Sequence, residues 1–255
     1  MPPLPYDADN PFKAVIVASQ QLPDTTAEFH QRLQHSLTHW QAEGHRLIWL
    51  QIPTEKANLI PIAINHGFTF HHCQPSYLML SRPLVPDVTI PGFATHFIGV
   101  GGVVLNEQQE LLVIVENESY RNGRPHNYKI PGGALHAGEH IADGARREVR
   151  EETGVETTFQ RLVCFRHWHG YRYGQSDIYF VCRLTPLTQT IRKQDSEIHD
   201  ARWLPIEEFL TRDSVSIFHK RIVQCALNSA NNTGLTPGWL QDYDQDRTTR
   251  EIFTT

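Results

Sequence analysis

The chain has 255 residues, of which 40% are hydrophobic and 20% charged, and its formal net charge is −5. These values are typical of a globular protein with one large domain or two modest ones. They give no basic footprint for nucleic acid or an anionic membrane, so neither is expected as a partner.

The N-terminal segment, residues 1–82, has the pattern of a small α/β domain. A helix over residues 25–43 is predicted from a cap at Thr25 or Thr26 and a stripe of apolar residues at helical spacing. A second helix over residues 56–65 closes at Gly67. The stripe consists of Phe29, Leu33, Leu37 and Trp40. Strands are predicted over residues 12–18, 46–52, 68–73 and 77–81, which gives a β-α-β-α-β-β order.

The end of this segment resembles the closing half of acetyltransferase-like folds, through the runs at residues 64–68 and 76–82. The glycine-rich loop that would hold acetyl-CoA is not visible, so acyl transfer is not expected. The pair His71-His72 raises the question of a metal. Neighbouring residues on a strand point to opposite faces, so a satisfied or exposed histidine pair is the preferred interpretation.

Residues 83–93 carry prolines at 83, 86 and 91, which predicts an extended linker. A second α/β domain is predicted over residues 94–230, followed by a tail over residues 231–255. In that domain, residues 96–105 and 110–116 have the pattern of a hairpin, and residues 128–130 that of a strand leading into Pro131-Gly132-Gly133. Further strands are expected at residues 159–167, 176–184 and 200–204, and helices at 141–153, 207–212 and 216–228. In the tail, Trp239, Leu240, Tyr243 and Phe253 suggest docking, although mobility is an equal alternative.

Three carboxylates crowd one face of the helix at residues 141–153. Glu148, Glu151 and Glu152 stand at i, i+3 and i+4, where like charges repel by about 0.2–0.5 kcal/mol per pair. Two of them also lie in the last turn, before a C-cap at Gly154, where the helix dipole disfavours anions. A hard cation such as Mg²⁺ would reverse this penalty, because it binds clustered carboxylate oxygens.

The alternative is a solvated acidic face, which is the usual explanation of a charge run. The helical wheel argues against it, because the three acids adjoin the core-facing stripe of Ile141, Ala145 and Val149. One turn before Glu148, Gly144 leaves that face open to something bulky. Arg147 lies one turn from Glu151 and is placed to orient its carboxylate.

The stretch from Gly133 to Val155 resembles the Nudix box at each defined position: Gly133, Glu139, Arg147-Glu148-Val149, Glu151-Glu152 and Gly154-Val155. The resemblance implies an α/β/α sandwich that hydrolyses a nucleoside diphosphate linked to another moiety, with Mg²⁺ or Mn²⁺ as cofactor. The two-part organisation, with His96-Phe-Ile-Gly-Val-Gly-Gly before the box and Gln175-Ser-Asp-Ile-Tyr179 after it, resembles the subgroup with a pre-Nudix domain. That subgroup includes the antisense-fibroblast-growth-factor Nudix proteins, and plant members that act on ADP-ribose or NADH.

The resemblance implies roles for individual residues. Glu148, Glu151 and Glu152 would be metal ligands, together with the carbonyl of Gly133, and Arg147 would orient the carboxylates. The catalytic base is left open between Glu152 and Glu197, the second of which precedes the strand that carries Trp203. For Glu197, a solvated loop acid is an equal alternative.

Substrate contacts are predicted from two loops. Arg121 and Arg124 would clamp phosphates, next to Tyr128, although exposed loop arginines are common. Trp168 lies among the aromatic residues of segment 166–174, which would stack on a nucleobase or pack at a subunit contact; the two alternatives are even.

The leading hypothesis is therefore a Mg²⁺-dependent pyrophosphohydrolase for ADP-ribose or NADH that yields monophosphates. The alternatives are a regulatory protein that senses a nucleotide without turnover, and a messenger-RNA decapping hydrolase, for which no basic groove is visible. The sequence leaves the oligomeric state open, with a homodimer as one alternative. The chain shows no membrane-spanning run or signal peptide, and its cysteines are widely spaced, so a cytoplasmic protein with reduced thiols is expected.

Overall fold

The computed structural model describes residues 2–8, 14–124, 126–229, 234–238 and 252–254. It divides into two compact units, residues 1–94 and 95–255. Residues 84–95 form neither helix nor strand. Phe12 in the first predicted strand and three of the aromatic or apolar tail residues, Trp239, Leu240 and Tyr243, lie outside the described residues.

The first unit packs two helices against a five-stranded sheet, so its α/β class is confirmed. The strands are β1 (Tyr6–Asp7), β2 (Ala14–Val17), β3 (Leu47–Pro53), β4 (Thr69–Gln74) and β5 (Tyr77–Pro83), and the helices are α1 (Thr26–Ala42) and α2 (Ile60–Asn65). The sheet order is β1-β2-β3-β5-β4, with β2 and β3 parallel and the other pairs antiparallel. A short 3-10 helix, Ser19–Gln21, follows β2.

Helix α1 follows the sequence prediction closely. Its N-cap is Thr25, whose side chain accepts a hydrogen bond from the amide of Glu28, as expected for a threonine cap. The four residues of the predicted apolar stripe are buried in the core of the unit. The predicted second helix is only half α-helical, because Thr54–Leu59 is a 3-10 helix. The α-helix starts at Ile60, which places Pro61 in the first turn, where its missing N–H costs no hydrogen bond.

The expectation that His71 and His72 point to opposite faces of their strand is wrong, because β4 contains a β-bulge at this position. The pairing of β4 with β5 shifts between Phe70 and His72, and a bulge breaks the alternation of side chains between faces. The two imidazoles therefore meet, with their Nδ1 atoms 2.6 Å apart. Each ring also has a second partner, the carbonyl of Pro91 for His71 and the hydroxyl of Tyr77 for His72. The histidine pair is thus satisfied within the protein.

The second unit is an α/β/α sandwich. Its main sheet has the order β8-β6-β10-β9, and a smaller sheet pairs β11 with β7. The strands are β6 (His96–Val104), β7 (Glu110–Glu116), β8 (Gly132–Ala134), β9 (Thr157–Trp168), β10 (Ser176–Pro186), β11 (Ile198–Pro205), β12 (Thr236–Gly238) and β13 (Ile252–Thr254); β12 pairs with β13. The helices are α3 (Asn117–Arg121), α4 (Ile141–Thr153), α5 (Ile206–Thr211) and α6 (Ile217–Asn228), with a 3-10 helix at Arg172–Gly174.

The two faces of the main sheet are covered by different helices. Ala145 and Val149 of α4 pack with Val100 and Leu184 on one face. Val223 of α6 belongs to the cluster on the other face. None of the helices within the described residues is both long enough and apolar enough to cross a membrane.

Two predictions in this unit are wrong. The expected hairpin of residues 96–105 and 110–116 opens after a single bridge between Leu105 and Leu111, because β6 pairs with β8 and β10 whereas β7 pairs with β11. The expected strand at residues 128–130 makes only one bridge, through Lys129. The glycine pair Gly132-Gly133 that follows is the start of β8.

Candidate active site

Helix α4 holds the box carboxylates in graded burial. It ends at Gly154, which has the left-handed φ of +73° expected of a glycine C-cap. Glu152 is 3% exposed, the Glu148 side chain is 12% exposed, and that of Glu151 is 46% exposed. The face predicted to be acidic therefore turns from the interior at Glu152 to solvent at Glu151.

Glu152 is fixed by the glycine strand β8. Its carboxylate accepts a hydrogen bond of 2.8 Å from the amide of Gly132. Burial raises the pKa of Glu152 to about 8, with Glu148 and Glu197 adding to the increase and Lys129 opposing it. The neighbouring Gly133 lies directly against Glu148, since a Cβ at Gly133 would come within 2.7 Å of the Glu148 carboxylate. Glycine at this position therefore lets the backbone approach the acids.

Arg147 joins four groups of the box. Its guanidinium makes two hydrogen bonds with Glu139, of 2.7 and 2.9 Å, and one each with Glu148 (2.8 Å) and Glu151 (3.0 Å). It also donates to the carbonyl of Ala134. These carboxylates raise the pKa of Arg147, Glu139 most of all. The expected orienting role of Arg147 thus has a geometric basis that includes both Glu148 and Glu151.

The open space at Gly144 is filled by Leu135. A Cβ at Gly144 would lie 2.5 Å from a methyl group of Leu135 and 3.1 Å from the Glu139 carboxylate. The bulky neighbour that the sequence analysis expected is therefore part of the chain. It allows the segment after β8 to pack onto α4 beside the carboxylates.

Glu197 approaches the cluster from a distant loop. The loop is attached to the end of α4, where the amides of Arg192 and Gln194 donate to the carbonyls of Thr153 and Glu152. Glu197 is exposed, and its negative charge contributes to the raised pKa values of both Glu148 and Glu152. For Glu148 the main cause is burial. The structure thus brings together three carboxylates that repel one another.

The substrate residues predicted from the sequence have different surroundings. Tyr128 is 2% exposed, and its hydroxyl donates to Asp200, so its ring packs in the core and its polar end already has a partner. Arg121 and Arg124 are exposed and make no ion pair within the part of the chain that the structure describes. Trp168 is 46% exposed and lies beside Arg166. The substrate-binding roles of all four residues remain predictions.

Lys129 is a site residue that the sequence analysis missed. It forms an ion pair with Glu116, and its positive charge lowers the pKa of Glu152. Its position three residues before Gly132 was the available signal, because this segment leads into the strand whose Gly132 amide contacts Glu152.

The donor set fits a divalent cation. The carboxylates of Glu148, Glu152 and Glu197 stand close enough to repel, and hard cations prefer such oxygens. Among the described residues, no three acidic, histidine or cysteine side chains already surround one point as metal ligands. The reason is visible in the hydrogen bonds, because Arg147 draws Glu148 and Glu151 towards itself. Binding of a cation by Glu148 or Glu151 would compete with these hydrogen bonds.

Comparisons with known proteins identify the family of this α/β/α hydrolase-like unit. The family model described as NUDIX domain matches residues 95–224, and the model described as Nudix hydrolase domain matches residues 4–84. The chain therefore belongs to the Nudix hydrolase family, and the resemblance inferred from the box is confirmed.

Relatives match across both units. Nudix hydrolase 8 of Arabidopsis thaliana is 37% identical over 235 residues, which is 90% of this chain and 63% of the relative. Nudix hydrolase 2 of the same plant is 37% identical over 207 residues, covering 81% and 74%. The mouse protein nucleoside diphosphate-linked moiety X motif 6 is 34% identical over 204 residues, covering 79% and 64%. The chain thus spans less than two thirds of the length of the first and third of these relatives.

Proposed function

We propose that this protein hydrolyses the diphosphate of a nucleoside diphosphate linked to another moiety, with ADP-ribose or NADH as substrate and two monophosphates as products. The observation that carries the proposal is the cluster of repelling carboxylates on α4 and the 187–197 loop. Family membership supports the reaction class. The substrate choice rests on the resemblance to plant members that act on these two compounds.

The metal would be held by Glu148, Glu151 and Glu152, with the carbonyl of Gly133 as a further ligand. Mg²⁺ or Mn²⁺ bound there would supply a Lewis acid for the phosphoryl oxygens and lower the pKa of a coordinated water. The protein's own contribution is orientation. The Gly132 amide fixes Glu152 through a hydrogen bond, and Arg147 orients Glu148 and Glu151 in the same way.

Glu197 is our candidate for positioning or deprotonating the attacking water, with Glu152 as the alternative. Glu197 is exposed, next to the other two carboxylates, and its side chain makes no hydrogen bond or ion pair with the residues that the structure describes. A free carboxylate at the edge of the cluster can reach a water molecule. If the Glu197→Gln variant kept kcat within about threefold of wild type, which is under 1 kcal/mol of barrier, this role would be abandoned.

The test of the proposed function is an assay with Mg²⁺ or Mn²⁺ against ADP-ribose, NADH, FAD, nucleotide sugars, dinucleoside polyphosphates, coenzyme A and capped RNA. We expect release of two monophosphates from ADP-ribose or NADH, and loss of activity by about 100-fold or more in Glu152→Gln. Glu156→Gln is the matched control, because Glu156 is an exposed glutamate just beyond the same helix. Nucleotide binding without turnover across this panel would instead favour a sensing protein.

A further inference from the structure

A group of aromatic and polar side chains lies beside the carboxylates on the sheet face covered by α6. Arg166 and Tyr179 are directly paired across strands β9 and β10, and paired residues share a face of the sheet. Trp168 follows two residues after Arg166, on the same face. Helix α6 adds Phe218, whose ring centre is 4.9 Å from the Arg166 guanidinium carbon, and His219. We call these five residues the aromatic wall.

Tyr179 links the aromatic wall to the carboxylates. Its ring lies across β6, where a Cβ at Gly99 would be 2.8 Å from the ring and one at Gly101 would be 2.1 Å from the hydroxyl oxygen. A Cβ at Gly132 would be 2.5 Å from the same oxygen, and the Gly132 amide binds Glu152. The pKa of Tyr179 is raised by burial, and further by Glu152. A molecule whose diphosphate lies at the carboxylates can therefore extend over Tyr179 onto the wall.

Arg166 is held rigidly within the wall. It forms an ion pair with Asp177, which is 5% exposed. Its guanidinium carbon lies 5.1 Å from the ring centre of Trp168 and 5.6 Å from that of Tyr179, within the range of cation–π contacts. An arginine fixed on several sides loses little freedom when it binds a ligand. This makes it suited to recognition as well as to stability.

Two polar atoms of the wall lack hydrogen bonds. Arg166 Nε and His219 Nδ1 are buried and have no hydrogen-bond partner among the described residues. The positive charge of Arg166 acts on His219, which places the two side chains near each other. Buried polar groups without partners are uncommon in proteins and call for an explanation. Polar atoms of a ligand bound at the wall can supply these missing partners.

The charges of the wall indicate which ligand it suits. Arg166 is neutralised by Asp177, and Lys129 by Glu116. The pKa of His219 is lowered to about 4 by burial, and further by Lys129 and Arg166, so this imidazole is neutral at pH 7. Arg166 in the wall and Lys129 near it thus each have an anionic partner already, and neither is left free for a further phosphate. An aromatic surface with polar atoms at its edge is instead suited to a neutral planar ring that carries hydrogen-bonding groups.

We propose that the aromatic wall binds the heteroaromatic ring, a nucleobase or a pyridine carboxamide, of the molecule whose diphosphate lies at the carboxylates. This deepens the proposed function and rests on it for the position of the diphosphate. Trp168, with 46% of its surface exposed, is the stacking residue, and Arg166 binds polar atoms at the edge of the ring.

The test compares ligands that differ only by the ring, measured by isothermal titration with the full chain and without metal. Adenosine monophosphate and nicotinamide mononucleotide each carry a ring on the ribose phosphate, whereas ribose 5-phosphate carries none. We expect at least one of the two nucleotides to bind wild type about tenfold more tightly than ribose 5-phosphate, as stacking of one base allows. Trp168→Ala should bring that ratio close to one, and Trp168→Phe should keep most of it.

A matched control is Phe165→Ala, because Phe165 is an exposed aromatic residue of β9 on the opposite face of the sheet. It should leave the ratio unchanged. If Trp168→Ala does not fold, Arg166→Lys serves as a second variant and should also lower the ratio. Equal binding of all three ligands to wild type, or a ratio that survives in the folded variants, would overturn the proposal. Because no turnover is needed, Glu152→Gln should keep the ratio even while it abolishes hydrolysis, which separates this proposal from the proposed function.

Discussion

At the scale of single residues, Arg147 sets the arrangement of the box carboxylates. Its planar guanidinium makes a two-bonded contact with Glu139 while also reaching Glu148 and Glu151. A lysine has the same charge but only a single donor group, so it cannot hold these acids in one geometry. The planar shape of Arg147, in addition to its positive charge, therefore sets this arrangement.

This leads to a prediction for Arg147→Lys. We expect kcat/KM to fall by about 10- to 100-fold, as is usual when a residue that orients metal ligands is replaced. The measurement is steady-state hydrolysis at saturating Mg²⁺. Arg150→Lys, at an exposed position of the same helix, should retain full activity. Equal activity of the two variants would mean that the guanidinium geometry is dispensable.

Glu152 gives a prediction for the pH dependence of stability. Its folded pKa of about 8 exceeds the value of about 4.3 expected in the unfolded chain. The folded state therefore binds the extra proton between these values, and stability falls as pH rises from about 4 to about 8. Without metal, Glu152→Gln should be more stable than wild type at pH 8, and the difference should disappear near pH 4. Thermal unfolding in the presence of a chelator measures this.

Sequence patterns predicted part of the residue-level site. The box spacing led to Glu148, Glu151, Glu152 and Arg147, because helical periodicity places them together without knowledge of the fold. The burial of Tyr128 was not predicted, because a tyrosine next to a polar loop gives no sign that its ring is buried. The Arg166–Asp177 pair was missed, since contacts across strands depend on a register that no local pattern shows.

At the scale of elements, the end of α4 determines where Glu197 lies. Gly154 closes the helix at a left-handed φ, and a Cβ there would come within 2.9–3.1 Å of Arg192. The same turn receives the amides of Arg192 and Gln194. The helix C-cap therefore fixes the position of the loop that carries Glu197.

Gly154→Ala should disturb both the C-cap of α4 and the loop that carries Glu197. We expect a loss of about 1–3 kcal/mol in the free energy of unfolding, because alanine is strained at this φ and crowds Arg192. We also expect a lower kcat as the loop shifts, measured alongside chemical denaturation. Gly44→Ala is a useful comparison, because Gly44 has a similar φ of +78° but nothing within 4 Å of the added Cβ; it should share the strain and leave kcat unchanged. A normal kcat for Gly154→Ala would separate the loop from the site.

Element positions followed from local signals where those signals were complete. The box helix, Ile141–Thr153, matches its prediction because it carries an apolar stripe and a C-cap glycine. The β6–β7 hairpin failed because a short turn shows only that two strands are adjacent in the chain. Strand β6 instead finds its partner in β10, about 80 residues later. The strand at Gly132–Ala134 was missed because glycine ordinarily weakens strands.

At the scale of the whole molecule, each unit has its own hydrophobic core. Phe29 and Trp40 are fully buried in the first unit, and Phe209 in the second. The composition and the proline-rich segment predicted two α/β regions, since each has enough apolar residues for a core. Chain-wide patterns could not predict the order of the strands in either sheet, because strand order depends on long-range pairing.

Separate cores predict separate responses to core truncation. Phe29→Ala and Phe209→Ala remove the same group from fully buried positions, and each should cost about 3–5 kcal/mol. Hydrogen exchange of the full chain should show the larger loss of protection in residues 14–94 for Phe29→Ala and in residues 95–229 for Phe209→Ala. Uniform loss across the chain in both variants would show a single cooperative unit instead.

The central claim is that the box carboxylates hold a divalent cation where the diphosphate is cleaved. Its most direct test is to measure Mn²⁺ binding to wild type, Glu152→Gln and the control Glu156→Gln. The electron paramagnetic resonance signal of the free ion reports how much Mn²⁺ remains unbound. The account predicts that Glu152→Gln weakens Mn²⁺ binding by about tenfold or more, whereas Glu156→Gln binds as wild type does. Equal Mn²⁺ affinity in all three proteins would contradict it.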